Sequence, residues 1–500
     1  MAAEINRRQL LTGGAAGLGL AGAAAGGAFG AGWRPFEGAA AETGREPVRA
    51  SGGNGMNVMV VILDEVRADH IGAYGSSVQT PNIDALADSG VRFTRPFSES
   101  MPTVPVRRAV HTGLRSFPFR HWEPWPGLPQ APGWQPIRSD ESTFSEILTQ
   151  VGYTRVAIAD TPYYFRPSMN LNRGYGSYRW KRGQGFDPHG LPGLVSHETA
   201  ARYLAPEQRD PEWGWYDSAR KYLAEALEWE KEDDWPGAQL CTEAATTLGK
   251  LRELQPFVLF FDTFETHSPY FPPHSYRAMY GDYDGDFEPI LPTYGSSDYL
   301  TKAQIERTDE LYSGEITFTD KWVGRVFNAL HDNGLAENTL VFFLTDHGTL
   351  LGGSDDHHQI GKPDDMLFPG LTDTAMIARH PERSGGVTSD VFAGTHDIVP
   401  TALANLDVSI DQPLDGADML DPKSAVAKRD YATLIYSHNL WARDERYTLI
   451  ALDYGEHKQL YDRLQDPHFK QDLAKEKPEV VQRLWGRILA DAGGDIPQYT

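Results

Sequence analysis

The sequence is poor in cysteine, because its 500 residues include one thiol, Cys241. One cysteine excludes a disulfide within the chain and any metal cluster held by several thiolates. Basic residues are also scarce: 46 lysines and arginines stand against 69 aspartates and glutamates, and the formal net charge is −23. A chain without a basic surplus cannot neutralise many phosphates. We therefore expect no nucleic-acid partner.

Apolar residues are present in the amount that a large core requires. Hydrophobic residues make up 40% of the chain and aromatic residues 11%, which excludes a disordered or fibrous protein. The length predicts two to four domains, or one large α/β unit with an appendage.

The first 55 residues are predicted to be an export signal and a flexible linker. Arg7 and Arg8 precede a run of glycine, alanine and leucine that extends to about residue 31, followed by small residues at 39–41. This order is typical of the twin-arginine export signal. The alternative is a membrane anchor, but glycines interrupt the run and gain little from transfer into lipid. We expect an exported protein, periplasmic or extracellular, without a stable membrane anchor.

Three apolar runs share one property, which is that an acidic residue follows each of them. They are 57–63 before Asp64, 256–261 before Asp262, and 341–344 before the segment Thr345-Asp346-His347-Gly348. Continuous β-branched and aromatic runs predict strands buried on both faces, as in a parallel sheet. Ligands of open α/β sheets bind at the carboxyl ends of the strands, and we expect the chemistry there.

The fold class predicted is α/β, with a large, mostly parallel central sheet flanked by helices. Apolar residues at helical spacing predict a helix over 303–331. We place the catalytic domain at 56–420, with a helical insertion at about 195–250. A small α+β subdomain is predicted at 421–500, where short alternating strands precede a final helix.

Four residues at two of the predicted strand ends form a candidate metal site: Asp64, Glu65, Asp346 and His347. Three carboxylates and one imidazole suit a hard or borderline divalent ion. We expect one such ion, with Ca²⁺ or Mn²⁺ favoured, while Mg²⁺ and Zn²⁺ also fit. Each pair alone is equally typical of a solvated strand end. A second ion would need a further set such as Asp262, His267 and His396.

The segment 103–113 reads T-V-P-V-R-R-A-V-H-T-G. It closely resembles the sulfatase signature, which is a cysteine or serine, any residue, proline, any residue, arginine, four residues and then Thr-Gly. Further segments resemble that family from about residue 57 to residue 466. They are P-N-I-D-A-L at 81–86, T-H-S-P at 266–269, Gly361-Lys362, H-D-I-V-P-T at 396–401, and 460–467. The chain is identified as a member of the sulfatase-like branch of the alkaline phosphatase superfamily.

The resemblance implies roles for five residues. Arg107 would fix the nucleophile loop, although a purely structural ion pair is the alternative. His267 and Lys362 would act as the acid for the leaving group and as a stabiliser of transition-state charge. His357 falls where relatives often have a histidine near the substrate. Asp160 would face the substrate pocket.

The decisive departure from the family is Thr103. Sulfatases oxidise a cysteine or serine at this position to formylglycine, and threonine is not a known substrate for that conversion. Cys241 lies far from the motif in the sequence, so we do not expect formylglycine. Threonine relatives, such as phosphodiesterases and nucleotide pyrophosphatases, use the hydroxyl beside a metal as the nucleophile.

A second departure concerns the substrate. Sulfatases place a Lys-any-His pair that grips the sulfate where this chain has Asp160 and Pro162. A phosphodiester carries a single negative charge, so fewer cations suffice, and we predict a phosphoric ester or diester as the anionic substrate.

The alternatives are a sulfuric ester hydrolase without formylglycine, a phosphotransferase of an envelope polymer, and a catalytically silent binding protein. Aromatic residues of the regions 195–250 and 270–300 either stack on a sugar or aryl group or belong to the core; they are Trp213, Trp215, Tyr270, Tyr276 and Tyr280.

Overall fold

The computed structural model describes residues 48–119, 122–165 and 169–496. The export signal predicted from Arg7 and Arg8 lies outside these residues and remains a prediction. Within them, no helix combines the length and the apolar character needed to cross a bilayer.

The strands of the described chain are named in chain order. They are β1 (Ala50–Gly52), β2 (Asn57–Leu63), β3 (Val91–Phe97), β4 (Thr154–Ala159), β5 (Ser177–Trp180), β6 (Phe257–Thr263), β7 (Gly295–Ser296), β8 (Thr339–Thr345), β9 (Leu350–Leu351), β10 (Gln359–Gly361), β11 (Met376–Arg379), β12 (Val387–Gly394), β13 (Val408–Ile410), β14 (Ala432–Tyr436), β15 (Asn439–Arg443), β16 (Tyr447–Leu452) and β17 (Gln459–Asp462).

The helices are named in the same way. They are α1 (Pro81–Asp88), α2 (Thr103–Thr112), α3 (Phe144–Gln150), α4 (His197–Ala200), α5 (Tyr216–Ala226), α6 (Pro236–Leu251), α7 (His274–Arg277), α8 (Lys302–Asp332), α9 (Pro369–Thr372), α10 (Ile398–Asn405) and α11 (Pro478–Ala492). The long helix predicted over 303–331 is α8, and a capping box between Thr301 and Gln304 starts it.

The central sheet has eight strands in the order β12-β3-β11-β8-β2-β6-β4-β5. β11 runs antiparallel to both of its neighbours, whereas the other strand pairs of this sheet are parallel. The predicted α/β class with a mostly parallel sheet is therefore confirmed. All seven residues of β2, of β6 and of β8 are buried, because helices cover both faces of a parallel sheet.

Alternate side chains of β2 enter two different parts of the core. Met59, Val61 and Leu63 pack on one face with the helices α5, α6 and α8, while Val58, Val60 and Ile62 pack on the other with α3 and α10. This alternation follows from the two-residue period of a strand. The sheet is thereby held rigidly between two apolar layers, and its strand ends are fixed relative to one another.

Two further regions of the described chain lie beside this sheet. Helices α5 and α6 fall in the region predicted as a helical insertion, and α6 packs along α8. At the C-terminal end, β14–β17 form a four-stranded antiparallel sheet on which α11 packs. These residues contain the short strands and the final helix that the sequence pattern indicates for 421–500.

Candidate active site

The register of the sheet places the acidic strand ends side by side. Leu63 at the end of β2 pairs with Thr263 of β6 and with Thr345 of β8. The next residues, Asp64 and Asp346, therefore leave the sheet at the same level. The backbone amide of Asp346 donates to the carbonyl of Leu63 over 3.3 Å, which ties the two strand ends together.

Asp64 is fully buried, and neither of its carboxylate oxygens has a hydrogen-bond partner among the described residues. Nη1 of Arg107 lies 3.0 Å from Oδ2 of Asp64 and brings a positive charge next to it. Burial raises the pKa of Asp64 well above its usual range, and the charge of Asp346 adds to this effect. A buried carboxylate left without donors costs free energy unless a cation binds it, so Asp64 fits a metal ligand.

His347 presents a nitrogen lone pair to the same place. Its Nδ1–H donates to the carbonyl of Gly348 over 2.9 Å, which leaves Nε2 as the unprotonated nitrogen. Nε2 lies 3.4 Å from Oδ2 of Asp346 and 4.0 Å from Oδ1 of Asp64. Burial lowers the pKa of His347 to about 4. The ring is therefore neutral, as a metal ligand must be.

Glu65 lies next to Asp64 in a left-handed backbone conformation, with φ of 60°. Such a conformation is uncommon for a residue with a side chain. It turns the carboxylate towards three groups: the hydroxyl of Tyr270 at 2.9 Å, Nζ of Lys362 at 3.2 Å and Nε2 of His267 at 2.8 Å. Burial opposes ionisation, but His267 and Lys362 outweigh it and lower the pKa of Glu65.

Among the residues that the structure describes, two groups of side chains could hold a divalent ion, and they share Asp64. In one, the ligand atoms of Asp64, Asp346 and His347 all lie within 4.8 Å of one another, and in the other those of Asp64, Glu65 and His267 do. The first group contains three of the four predicted metal ligands, while the fourth, Glu65, shares the second group with Asp64 and His267. Carboxylates with one neutral imidazole suit Mn²⁺, Ca²⁺ or Zn²⁺, and the donor set fits such an ion.

Thr103 is the first residue of α2 and is buried. Its Oγ1 lies 3.3 Å from Nε2 of His347, so the hydroxyl faces the candidate metal ligands. The amide groups at the start of a helix favour anions because they carry unpaired N–H donors and the positive end of the helix dipole. An anionic group bound beside Thr103 would therefore meet both α2 and the candidate metal site.

Arg107 lies one turn further along α2 and is fully buried. Its guanidinium makes a forked pair with Asp262, over 2.9 Å from Nε and 2.8 Å from Nη2, and also bonds Asp346. Nη1 donates to the carbonyl of Thr103 over 3.3 Å. Arg107 therefore fixes the start of α2 against β6 and β8 while it neutralises buried carboxylates.

His267 and Lys362 form a hydrogen-bonded pair beside the carboxylate of Glu65. Nζ of Lys362 lies 2.7 Å from Nε2 of His267, whose Nδ1–H donates to the carbonyl of Ser268 over 2.8 Å. Burial lowers the pKa of His267. Burial also opposes the charge of Lys362, but Glu65 outweighs it and raises the lysine pKa well above its usual range.

Asp160 does not face the open site as the sequence analysis predicts. Its buried carboxylate accepts from the backbone amide of Phe264 over 2.6 Å and from the hydroxyl of Thr263 over 3.1 Å. Burial raises its pKa to about 7. Because the ring of Phe264 stacks on His267 at 4.2 Å, Asp160 positions the turn after β6, which in turn supports His267.

The predicted role of His357 near the substrate stays a prediction, and the structure shows other contacts for this side chain. Its Nε2 bonds the carbonyl of His468 over 2.8 Å, and its ring stacks on Phe368 at 4.1 Å. His357 follows the short 3₁₀ turn at 354–356 in a left-handed backbone conformation. The second metal set is not assembled either, because Asp262 is taken by Arg107 and Nε2 of His396 lies near Asp397.

Sequence reasoning missed two contributors to the site. The sequence predicts Tyr270 as a stacking or core residue, but its hydroxyl donates a hydrogen bond to the carboxylate of Glu65. The sequence suggests Asp262 as a ligand of a second metal ion, but its carboxylate accepts two hydrogen bonds from Arg107. The hydroxyl of Thr161 also donates to it over 2.8 Å. The position of Asp262 at a buried strand end was the available signal; its partner could not be read from the sequence.

Comparison with known proteins places this site in a family. The family profile described as Sulfatase matches residues 56–408. This is most of the chain, which therefore belongs to the sulfatase family. The protein is thus a sulfatase-family enzyme, and enzymes of this family use a divalent metal ion.

Relatives with different names resemble the chain to a similar degree. A Clostridium perfringens arylsulfatase is 22% identical over 79% of this chain and 84% of its own length. The Trinickia caryophylli multifunctional alkaline phosphatase superfamily protein PehA is 24% identical over 73% of this chain and 76% of its own. The crystal structure of the Agrobacterium radiobacter phosphonate monoester hydrolase superposes with a TM-score of 0.65 at 21% identity, covering 88% of this chain and 95% of that one. This superposition shows the fold.

We expect chelation with EDTA to abolish activity and Mn²⁺ or Ca²⁺ to restore it. Bound metal should also stabilise the fold, by about 2.7 kcal/mol at 100 times its Kd. Elemental analysis after dialysis should find one ion per chain.

Asp346→Asn should weaken metal binding at least about 100-fold, because it removes a charged ligand. The matched control is Asp320→Asn, a buried carboxylate that bonds the backbone at the start of α1. Equal metal loss in both variants would contradict the site.

Proposed function

We propose that the protein hydrolyses phosphoric esters of the diester type, with Thr103 as the nucleophile and one divalent ion held by Asp64, Glu65, Asp346 and His347. The observation that carries this proposal is the Thr103 hydroxyl, which lies at the start of α2 and faces the candidate metal ligands. When bound, the ion would lower the pKa of a nearby hydroxyl and withdraw charge from a substrate oxygen.

The first half of the reaction forms a covalent intermediate. The Thr103 hydroxyl loses its proton to solvent, and its Oγ1 attacks phosphorus while the bond from phosphorus to the leaving oxygen breaks. The Lys362–His267 pair supplies the proton that the leaving oxygen needs, because Lys362 remains protonated beside Glu65. Arg107 holds the Thr103 backbone in place during this step.

The second half regenerates the enzyme. Water attacks the phosphorus of the threonine phosphoester, and the bond to Oγ1 of Thr103 breaks. One proton of that water returns to Oγ1, and the other replaces the proton that the Lys362–His267 pair released. A second alcohol in place of water would complete a transfer instead of a hydrolysis.

The charges of the site support a substrate with a single negative charge. The carboxylates of Asp64, Glu65, Asp262 and Asp346 face the cations Arg107 and Lys362, which leaves two negative charges. One divalent ion cancels these, so no surplus of positive charge remains to hold a dianion. A phosphodiester or a phosphonate monoester is a monoanion at neutral pH, whereas a phosphate monoester is mostly a dianion.

A sulfuric ester is also a monoanion, and the similarity to the arylsulfatase makes sulfate ester hydrolysis the second candidate. Thr103 favours the phosphoric ester. A threonine lacks the hydrated aldehyde with which formylglycine releases sulfate, so its covalent intermediate must be broken by attack of water on the central atom.

The test compares bis-p-nitrophenyl phosphate with p-nitrophenyl sulfate and p-nitrophenyl phosphate, with Mn²⁺, Ca²⁺ and Zn²⁺ in turn. We expect kcat/KM for the diester to exceed that for the sulfate by about 100-fold or more. The phosphate monoester should also be the poorer substrate of the two phosphoric esters. Preference for the sulfate would replace the proposal by the second candidate, and turnover that rises with added alcohol without more free acid would identify a transferase.

A further inference from the structure

An apolar cavity of about 390 Å³ adjoins His267 and Lys362. Its wall consists mainly of rings and proline, and none of the described residues that line it carries a charged side chain. The lining includes Phe186, Trp213, Trp215, Tyr222, Pro269 and Tyr294. A cavity of this size and composition is typical of a small-molecule site.

The cavity borders the proton-donating pair through the rings of Phe186 and Tyr294. The ring of Phe186 meets the His267 ring edge-on at 5.0 Å, and Nζ of Lys362 lies 5.8 Å from the centre of the Tyr294 ring. Ser268, the residue after His267, is itself part of the wall. Glu65 contacts both His267 and Lys362 but is not part of this wall.

This arrangement determines where the organic part of a substrate lies. An ester oxygen that takes its proton from the Lys362–His267 pair has phosphorus on the side of Thr103, and the carbon attached to it points away from phosphorus. The cavity borders both members of the pair and is the space beside them that can receive this carbon. The group that leaves with the oxygen is therefore the group that the cavity receives.

The wall favours the binding of apolar groups over polar ones. A hydroxyl or a charge buried against rings without a partner costs free energy, whereas an apolar group gains by leaving water. The polar groups of the lining are uncharged: the hydroxyls of Ser218, Ser268 and Thr293, the phenol groups of Tyr222 and Tyr294, and the indole N–H groups of Trp213 and Trp215. The hydroxyl of Tyr222 is directed at the carbonyl of Pro269 over 3.5 Å, so it is not available to a ligand.

We propose that this cavity binds the leaving alcohol, and that the substrates are phosphoric esters of apolar alcohols, aryl or branched alkyl, and not of sugars or polyols. This inference rests on the proposed function, because it assigns the leaving group of the same reaction. Trp215 forms part of the wall and is half exposed. An aromatic group that enters the cavity from solvent therefore contacts the Trp215 ring first.

The test measures binding of two alcohols to the Mn²⁺-loaded protein by calorimetry: 2-naphthol as the apolar probe and myo-inositol as the polar one. We expect 2-naphthol to bind at least about tenfold more tightly, which is the effect of burying about one ring. It should also inhibit hydrolysis of bis-p-nitrophenyl phosphate competitively, raising KM without changing kcat.

Two variants of α5 form a matched pair. Ser218→Phe places a ring inside the cavity, whereas Asp217→Phe places the same ring on the exposed face of the same helix. We expect Ser218→Phe to weaken 2-naphthol binding about tenfold or more and Asp217→Phe to leave it within about twofold. Trp215→Ala, at a half-exposed position, should weaken binding in the same direction and covers the case in which Ser218→Phe does not fold.

Equal affinity for the two alcohols would overturn the inference, as would tighter binding of myo-inositol or full affinity for 2-naphthol in Ser218→Phe and Trp215→Ala. These outcomes are distinct from a failure of the proposed function. A protein that cleaves the diester but does not prefer 2-naphthol would overturn the assignment of the cavity alone. A protein that binds 2-naphthol in the cavity but cleaves no phosphoric ester would overturn the proposed reaction.

Discussion

Thr103→Ala is expected to lower kcat/KM for bis-p-nitrophenyl phosphate by a factor on the order of 10⁴, because it removes the atom that forms the covalent bond. The loss should fall on kcat, and metal content should remain near one ion per chain, since Asp64, Asp346 and His347 are untouched. Steady-state kinetics with elemental analysis of the same preparation measures both quantities.

The control for this variant is Thr112→Ala at the other end of α2. Thr112 is also buried, but its hydroxyl donates to the carbonyl of Arg108 over 2.7 Å and takes no part in the site. Thr112→Ala should therefore keep most of the activity. Thr103→Ser, which retains a hydroxyl, should recover much of the rate lost in Thr103→Ala. If Thr103→Ala keeps more than about a tenth of the wild-type rate, another group is the nucleophile.

The strands at the centre of the sheet could be predicted from sequence because their burial is complete. The run at 57–63 is β2, and the runs near 257 and 341 are β6 and β8, each with all of its residues buried. β3, in contrast, has partly exposed positions, and its pattern is correspondingly weaker. The antiparallel direction of β11 is a property of its neighbours, β3 and β8, and no local signal encodes it.

In the candidate active site, too, some residues have a local sequence signal, whereas others depend on contacts that form only on folding. Asp64 and Asp346 could be selected because they follow buried strands that end at one edge of the sheet, and Thr103 could be selected because its segment resembles the sulfatase signature. The contacts of Asp160 and His357 could not be read from the sequence, because each side chain is oriented by a distant segment, at Phe264 and His468. The cavity depends on α5 and on loops remote in sequence, so its composition becomes visible only after folding.

Arg107→Met is expected to destabilise the metal-free protein by about 3–5 kcal/mol, the usual cost of removing one partner of a buried ion pair. Arg107 faces Asp64, Asp262 and Asp346, all of them buried. Without the guanidinium, these carboxylates must either take up protons or remain charged without a cation. Urea unfolding followed by fluorescence measures the loss, and kcat/KM should fall on the order of 10³-fold because the start of α2 loses its anchor.

Arg108→Met separates this charge effect from a general loss of packing. Arg108 is the next residue of α2, is buried as well, and pairs with Glu141 outside the site. Saturating Mn²⁺ should restore part of the stability of Arg107→Met, because the ion brings positive charge to Asp64 and Asp346, but it should restore none in Arg108→Met beyond the wild-type gain. The recovery in Arg107→Met should stay incomplete, since Asp262 keeps its charge and lies outside both groups of candidate metal ligands. Equal losses in the two variants, with equal responses to Mn²⁺, would mean that Arg107 is a packing residue and that the metal ligands do not depend on it.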